Sequence, residues 1–388
     1  MIALGHLDIS AQGKKYVNDC LDNNRLSRGK YTAQLEKQFS ELHGARYGVF
    51  CNSGTSALQI ALATLKERYN YQDGDEVLVP AITFIATSNV VIQNNLKPVF
   101  VDVDPETFNM DPTEISKHIT SRTRAIIPVH LFGLPAETPA IMRIAREHNL
   151  QVIEDSCETM FAGIDGKSVG SFGDMACFST YVAHLIVGGV GGLVITNDSV
   201  NAEMCRSLLA HGRDNIYLSI DDDDNVNDKE LERIIKRRYS FDRVGYSYRC
   251  TEIEAAIALS ELERWEENIS RRRQNAKRLT ELLRPLENLQ LPTIPTGYEH
   301  SFMMFPMLLK SGDRAPLLMH LEKQGIETRF MFPLLSQPVY QRLFPGLLDQ
   351  YPTAKHLESQ GFFIGCHQGL SDADIQFIAD TIIQYFGG

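Results

Sequence analysis

The 388-residue chain lacks several features, and each absence excludes a class of protein. No uninterrupted apolar run approaches the roughly 18 residues of a membrane helix, so no membrane association is expected. The start, Met1-Ile-Ala-Leu-Gly-His-Leu-Asp8, lacks the basic and apolar regions of a signal peptide, which points to the cytoplasm. Cysteine pairs are missing: seven cysteines stand singly at 20, 51, 157, 177, 205, 250 and 366, with no C-x-x-C. That spacing makes neither a disulfide framework nor a zinc or redox site, and reduced thiols are expected. Positive charge is also short, 38 Lys+Arg against 49 Asp+Glu, for a net charge of -11. Nucleic acid and anionic membrane surfaces both require concentrated positive charge, so neither is an expected partner. Internal repeats are absent, and with 43% hydrophobic residues and dispersed Gly and Pro the chain is neither disordered nor low in complexity.

What is present reads as an α/β protein of two, at most three, domains. Residues 31–43 carry Leu35, Phe39 and Leu42 at helical spacing and stop at Gly44. The run Tyr47-Gly-Val-Phe-Cys51 follows as a strand, then the loop Asn52-Ser-Gly-Thr-Ser56, then a helix with Leu58, Ala61, Leu62 and Leu65 on one face. Further strands are predicted at 76–79, 98–103, 124–130, 151–154, 174–179 and 192–196, most of them separated by helical segments. Runs without clean alternation suit strands buried on both faces of a mostly parallel sheet with crossover helices. The character changes near residue 215, where Asp221-Asp-Asp-Asp224 reads as a solvated loop, because four consecutive carboxylates are not a ligand geometry. No metal site is expected. A helical pattern spans 251–283, with Arg271-Arg-Arg273 taken as its solvent face. A strand at 301–309 and helices at 314–324 and 372–386 complete a smaller α+β region.

Three candidate sites fall at carboxyl ends of predicted strands, where open α/β sheets place their ligands. The loop at 52–56 joins strand to helix, so its N–H groups, its hydroxyls and the helix dipole can hold a phosphate, although such loops also serve simply as helix caps. Asp155 ends the strand Val152-Ile-Glu-Asp155 in an apolar setting, where a carboxylate needs a cationic partner or else acts as an N-cap. The third is the turn Phe178-Ser-Thr-Tyr-Val-Ala-His184 with Gly188-Gly-Val-Gly-Gly192.

In order and spacing these elements resemble the sugar aminotransferases and dehydratases of DegT/StrS type, within the fold-type I pyridoxal-phosphate (PLP) enzymes. The resemblance also covers Pro80-Ala-Ile-Thr-Phe-Ile-Ala-Thr87, Val101-Asp-Val-Asp104, Pro128-Val-His-Leu-Phe-Gly133, the stretch from Gly166 to Asp174, Gly245-Tyr-Ser-Tyr-Arg249 and Glu327-Thr-Arg329. It implies a three-layer large domain with a mostly parallel sheet over residues 1–245 and a smaller α+β domain over 246–388. It implies PLP, or its pyridoxamine form PMP, as cofactor. Ser53, Gly54, Thr55 and Ser179 would hold the cofactor phosphate, Phe84 would stack on the ring, Asp155 would pair with the protonated ring nitrogen, and Glu158 would lie in the same pocket. Ser247 stands where many members have an asparagine that reaches the neighbouring subunit's cofactor phosphate, a departure from the family, and Arg249, Arg329 and His211 are implied substrate contacts. A homodimer with shared active sites is the implied assembly.

One position departs from the family's aminotransferases. They carry the Schiff-base lysine five residues after the serine matched by Ser179, and here that position is His184, whether counted forward from Ser179 or back from Gly192. Imidazole is not a primary amine and cannot form that bond, and Lys167, the nearest lysine, lies in a predicted exposed loop. Histidine at this position resembles the branch of 3-dehydratases that make 3,6-dideoxy sugars, and Glu154-Asp-Ser-Cys-Glu158 and Tyr181-Val-Ala-His184 resemble that branch as well. The clustered cysteines of its iron–sulfur members are not matched by Cys205 and Cys250. The implied function is dehydration of a 4-keto-6-deoxy nucleotide sugar with glutamate as amino donor and His184 as proton carrier, its ordinary pKa near 6.5 suiting that work. The alternatives are a C-4 or C-3 transaminase and a catalytically silent PLP-binding homologue. Val190 in place of the family's glutamate and Leu185 in place of a second histidine are further departures.

Overall fold

In a computed structural model, which describes residues 1–214 and 226–387, seven strands form the central sheet. They are β1 (Tyr47–Cys51), β2 (Glu76–Pro80), β3 (Lys97–Val101), β4 (Thr123–Ile126), β5 (Gln151–Asp155), β6 (Met175–Ser179) and β7 (Gly192–Thr196), in the order β1-β7-β6-β5-β4-β2-β3. Every pairing is parallel except those of β7, which runs antiparallel to both β1 and β6. The carboxyl ends of β1, β2, β5 and β6 and the start of β7 therefore open on one edge. β2, β6 and β7 are buried at every residue, as their unbroken apolar runs require of a sheet covered on both faces.

The helices α1 (Ala11–Asp22), α2 (Lys30–Leu42), α3 (Gly54–Arg68), α4 (Ile85–Gln93), α5 (Thr138–Glu147), α6 (Ser199–Leu209) and α7 (Asp228–Arg237) lie along the first part of the chain. α3 packs across β5, β6 and β7, and ten of its residues are buried. The pattern read as one helix over 251–283 is two: α8 (Glu252–Leu262), opened by a Thr251–Glu254 capping box, and α9 (Trp265–Leu283), with a break at 263–264. α8 packs on α1 and α2 and lies in the first core. α2 depends on that contact: its N-cap is Gly29, which has no side chain, and the Glu252 carboxylate accepts the N–H groups of Gly29, Tyr31 and Thr32 instead.

A second sheet, ordered β8-β9-β11-β10, is built from β8 (Leu289–Gln290), β9 (Met304–Leu309), β10 (Thr328–Phe330) and β11 (Gly361–Gly365). With α9, α10 (Arg314–Lys323) and α11 (Asp372–Gly387) it encloses a second apolar core. β9 starts at Met304, not 301, because Phe302 has φ 49, in the left-handed region that a strand cannot use. β4 stops at Ile126, short of the predicted 130, since Pro128 brings no ladder donor. Asp221–Asp224 lies outside the described residues. The arginine triplet is corrected: Arg271 and Arg273 are half-buried, but Arg272 is fully buried and donates through Nη1 to the carbonyls of Phe302 and Met303. Consecutive residues on a helix step about 100° apart, so three in a row cannot share one face.

Candidate active site

Four loops meet at the open edge of the large sheet. After β1, Ser53 caps α3, its hydroxyl accepting the Ser56 N–H at 3.0 Å. Gly54 follows, where an added Cβ would lie 2.8 Å from both Cys157 Sγ and Ser179 Cβ, so only glycine fits. Ser53 also bridges to Gly191, which brings the glycine turn before β7 alongside the capping loop. Ser53, Gly54 and Ser179 are thereby one cluster of hydroxyls and free N–H groups at a helix N-terminus, the arrangement that holds a phosphate. Thr55, the next residue, is exposed.

Asp155 lies at the floor of the site, 4% exposed. Its Oδ2 accepts the Thr87 hydroxyl at 2.7 Å and its Oδ1 the Cys157 N–H at 3.2 Å. Burial pushes its carboxyl above the usual range, against those two hydrogen bonds. No lysine or arginine among the described residues pairs with it, so the site has a buried carboxylate awaiting a cation. Thr87 was not singled out from sequence; its spacing of one helical turn from Thr83, whose hydroxyl lies 2.8 Å away, was the available signal. Glu158 accepts the Phe132 N–H at 2.9 Å, and burial raises its carboxyl to about 8. Glu154 faces the other way. Burial alone would raise it, but His130 and the N–H groups of Gly170, Phe172 and Gly173 hold it low, and it pins that loop under the sheet edge.

His184 follows from β6 through a turn closed by Thr180, whose N–H donates to Gly191 and whose carbonyl accepts from Gly188. The imidazole is half-buried, lies 6.0 Å edge-on to Tyr181, and has a buried Nδ1 with no hydrogen-bond partner. Burial lowers its pKa to about 4, so the ring is neutral at neutral pH. Lys167 stands apart on an exposed hairpin, 4.3 Å over the Phe172 ring. Phe84 is 55% exposed at the start of α4, edge-on to Phe332, which stacks in turn on Phe132 at 5.5 Å.

The predicted substrate residues form two further places. His211, Ser247 and Arg249 come together on an exposed surface, with Arg249 Nη2 3.0 Å from His211 Nε2 and 3.3 Å from Ser247 Oγ. The same segment joins the phosphate loop, since the Asn52 N–H donates to the Tyr248 carbonyl. Arg329 lies on β10, where it donates to the Glu327 carboxylate and the Thr328 carbonyl, apart from the cluster of His211, Ser247 and Arg249.

Comparison with known proteins agrees with this geometry. The chain is 35% identical over 377 residues to a GDP-perosamine synthase of Caulobacter vibrioides, covering 96% of this chain and 94% of that one. It is 32% identical over 377 residues to a dTDP-4-dehydro-2,6-dideoxy-D-glucose 3-dehydratase of Saccharopolyspora spinosa, covering 93% and 81%. Its structure superposes on the E. coli GDP-4-keto-6-deoxy-D-mannose-3-dehydratase with bound hydrated PLP at a TM-score of 0.89, with 27% identity and 98% and 99% coverage. The fold is thus that of the fold-type I PLP enzymes, and PLP or PMP is the cofactor that the donor set fits: an anion cradle at Gly54 and a buried carboxylate lacking its cation. Matched from residue 7 to residue 383, the chain belongs to the DegT/DnrJ/EryC1/StrS aminotransferase family.

Proposed function

We propose that the protein is a nucleotide-sugar 3-dehydratase that takes glutamate as amino donor and a 4-keto-6-deoxy nucleotide sugar as substrate. The observation that carries this reading is His184, a half-buried imidazole with an unpartnered Nδ1 in the loop where an aminotransferase needs a primary amine. Bound PMP supplies an amine for the sugar ketone and a ring that accepts electron density. The protein's part is then to hold that ring and move protons. Asp155 keeps a proton on the ring nitrogen, while Ser53, Gly54, Thr55 and Ser179 bind the phosphate. Phe84 offers an exposed aromatic face to the ring, and Glu158, protonated at neutral pH, donates a hydrogen bond within the pocket. His184, neutral above about pH 4, accepts a proton as base. The resulting imidazolium is a strong acid, suited to protonating the departing C-3 hydroxyl. A lysine in its place would recapture the cofactor and complete transamination; imidazole has no such route.

We further propose a homodimer in which the exposed Ser247–Arg249 strip, with His211, reaches the neighbouring subunit's site, and in which Arg329 contacts substrate. A second reading, transamination to an amino sugar, is favoured by the identity to a GDP-perosamine synthase. The deciding experiment incubates the protein with PLP, glutamate and a 4-keto-6-deoxy nucleotide sugar and weighs the product. Loss of the C-3 oxygen without nitrogen gain is expected. Gain of nitrogen with that oxygen retained would establish the aminotransferase instead, and no conversion of PLP to PMP with any amino donor would leave a silent binding homologue.

A further inference from the structure

A cavity of about 390 Å3 lies between the N-terminal arm, the end of α8, the start of α9 and the loop after β11; the arm itself packs at Gly5 on Ala183, in the turn that carries His184. Its inner wall carries polar groups that the protein does not satisfy. Glu261 and Asn268 are each 3% exposed, yet Glu261 Oε1 and Asn268 Nδ2 have no hydrogen-bond partner, nor does Gln368 Oε1 beside them. Arg264 stands among three carboxylates, 3.7 Å from Asp8, 3.7 Å from Glu261 and 3.9 Å from Glu267, every one beyond hydrogen-bond reach. Behind this wall the buried His367 stacks at 5.5 Å on His6. A buried polar group left unpaired is destabilising, and several of them gather at this one wall.

The pattern of orphans defines the chemistry. Two acceptors beside an excess of carboxylates call for a positively charged N–H donor, whereas Asn268 Nδ2 and the loosely held Arg264 call for an acceptor anion. A metal ion does not suit the place: among the described residues, no three His, Cys, Asp or Glu side chains converge as ligands. A phosphate would face three carboxylates with no cation of its own, whereas a carboxylate carried on a zwitterion arrives with its ammonium, and a simple amine would leave Asn268 unmet. We infer that this cavity is a second binding site, for a small zwitterion of the α-amino acid class, with its ammonium on Glu261 and Gln368 and its carboxylate on Asn268 and Arg264. Glu261 fits such a role: burial raises its carboxyl to about 7, as expected of a group lacking its cation. Its other charged neighbours are Asp8, Arg264 and the buried Arg272, so no cation of the protein fully neutralises it.

The inference does not depend on the reaction at His184, and its test reads binding alone. Glycine, L-serine and L-arginine are titrated by calorimetry into the cofactor-loaded protein, with ethylamine and acetate as single-group probes. Saturable heat is expected from at least one amino acid and from neither single-group probe. Glu261→Gln and Asn268→Leu are each expected to weaken binding by about tenfold, the loss of one charge-assisted or buried hydrogen bond. Ser270→Trp, at the exposed rim and therefore compatible with folding, fills the mouth and should abolish the heat with the melting temperature unchanged. Binding that survives Ser270→Trp belongs to the cofactor site and overturns the inference. Absence of heat from every amino acid, which would leave a water-filled cavity, overturns it as well.

Discussion

Glu158 and His184 are pushed in the same direction, towards neutrality, by the same cause. Both groups are desolvated with no ion partner, so the carboxyl rises to about 8 and the imidazole falls to about 4. For Glu158 the folded value exceeds the unfolded one, so its favourable contribution is full below the unfolded pKa and is lost as pH rises through the folded value. Glu158→Gln cannot ionise and keeps an acceptor for the Phe132 N–H. In urea unfolding of cofactor-free protein its advantage over the parent should grow from under about 1 kcal/mol at pH 5 to about 4–5 kcal/mol at pH 8.5; a constant difference would show that the carboxyl is ionised. For His184 the acid limb of kcat/KM with the sugar should fall near pH 4, and a limb near 6.5 would place the ring in water. Borohydride treatment of the PLP-loaded protein should leave the protein mass unchanged, because residue 184 offers no amine; a covalent adduct would contradict the proposed function.

At the scale of elements, apolar period and capping residues located the helices and strands, while the partners of polar residues depended on what packed beside them. Arg271, Arg272 and Arg273 read alike in sequence. Only the approach of residues 302–303 gives Arg272 its two carbonyls, and Arg271 instead reaches Leu370 and Asp372 at the surface. Arg272→Ala leaves two buried carbonyls without their donor and should cost about 1–3 kcal/mol, and Arg271→Ala under about 1 kcal/mol, measured by chemical denaturation. The same dependence holds for α2, whose start is completed by Glu252 more than two hundred residues away. Glu252→Ala leaves three N–H groups and the Thr32 hydroxyl without acceptors and should cost about 2–4 kcal/mol.

At the scale of the whole molecule, side chains from the smaller sheet reach into the first apolar core beside the site. Phe363 on β11 and Phe332 just after β10 turn away from the second core into the first, where they pack on Phe132, while Phe132 itself donates to Glu158 and Phe332 abuts Phe84. Truncation of Phe332 to alanine is expected to destabilise the fold by about 3 kcal/mol and to weaken PLP binding, read as a smaller rise in melting temperature on cofactor addition. Unaltered cofactor affinity would show that the ring pocket is formed by the large unit alone.

The sequence by itself determined the strand–helix alternation, the phosphate loop at Ser53 and Gly54, the carboxylate at Asp155 and the histidine at 184, because local period, glycine geometry and residue chemistry are written in neighbouring positions. Only the tertiary structure decided that Thr87 holds Asp155, that Glu154 pins a loop while Glu158 lines the pocket, that Arg272 is buried, and that Glu261 and Asn268 face an unsatisfied cavity. Each of these depends on which distant backbone group or side chain approaches within hydrogen-bond reach, and that distance is fixed by packing.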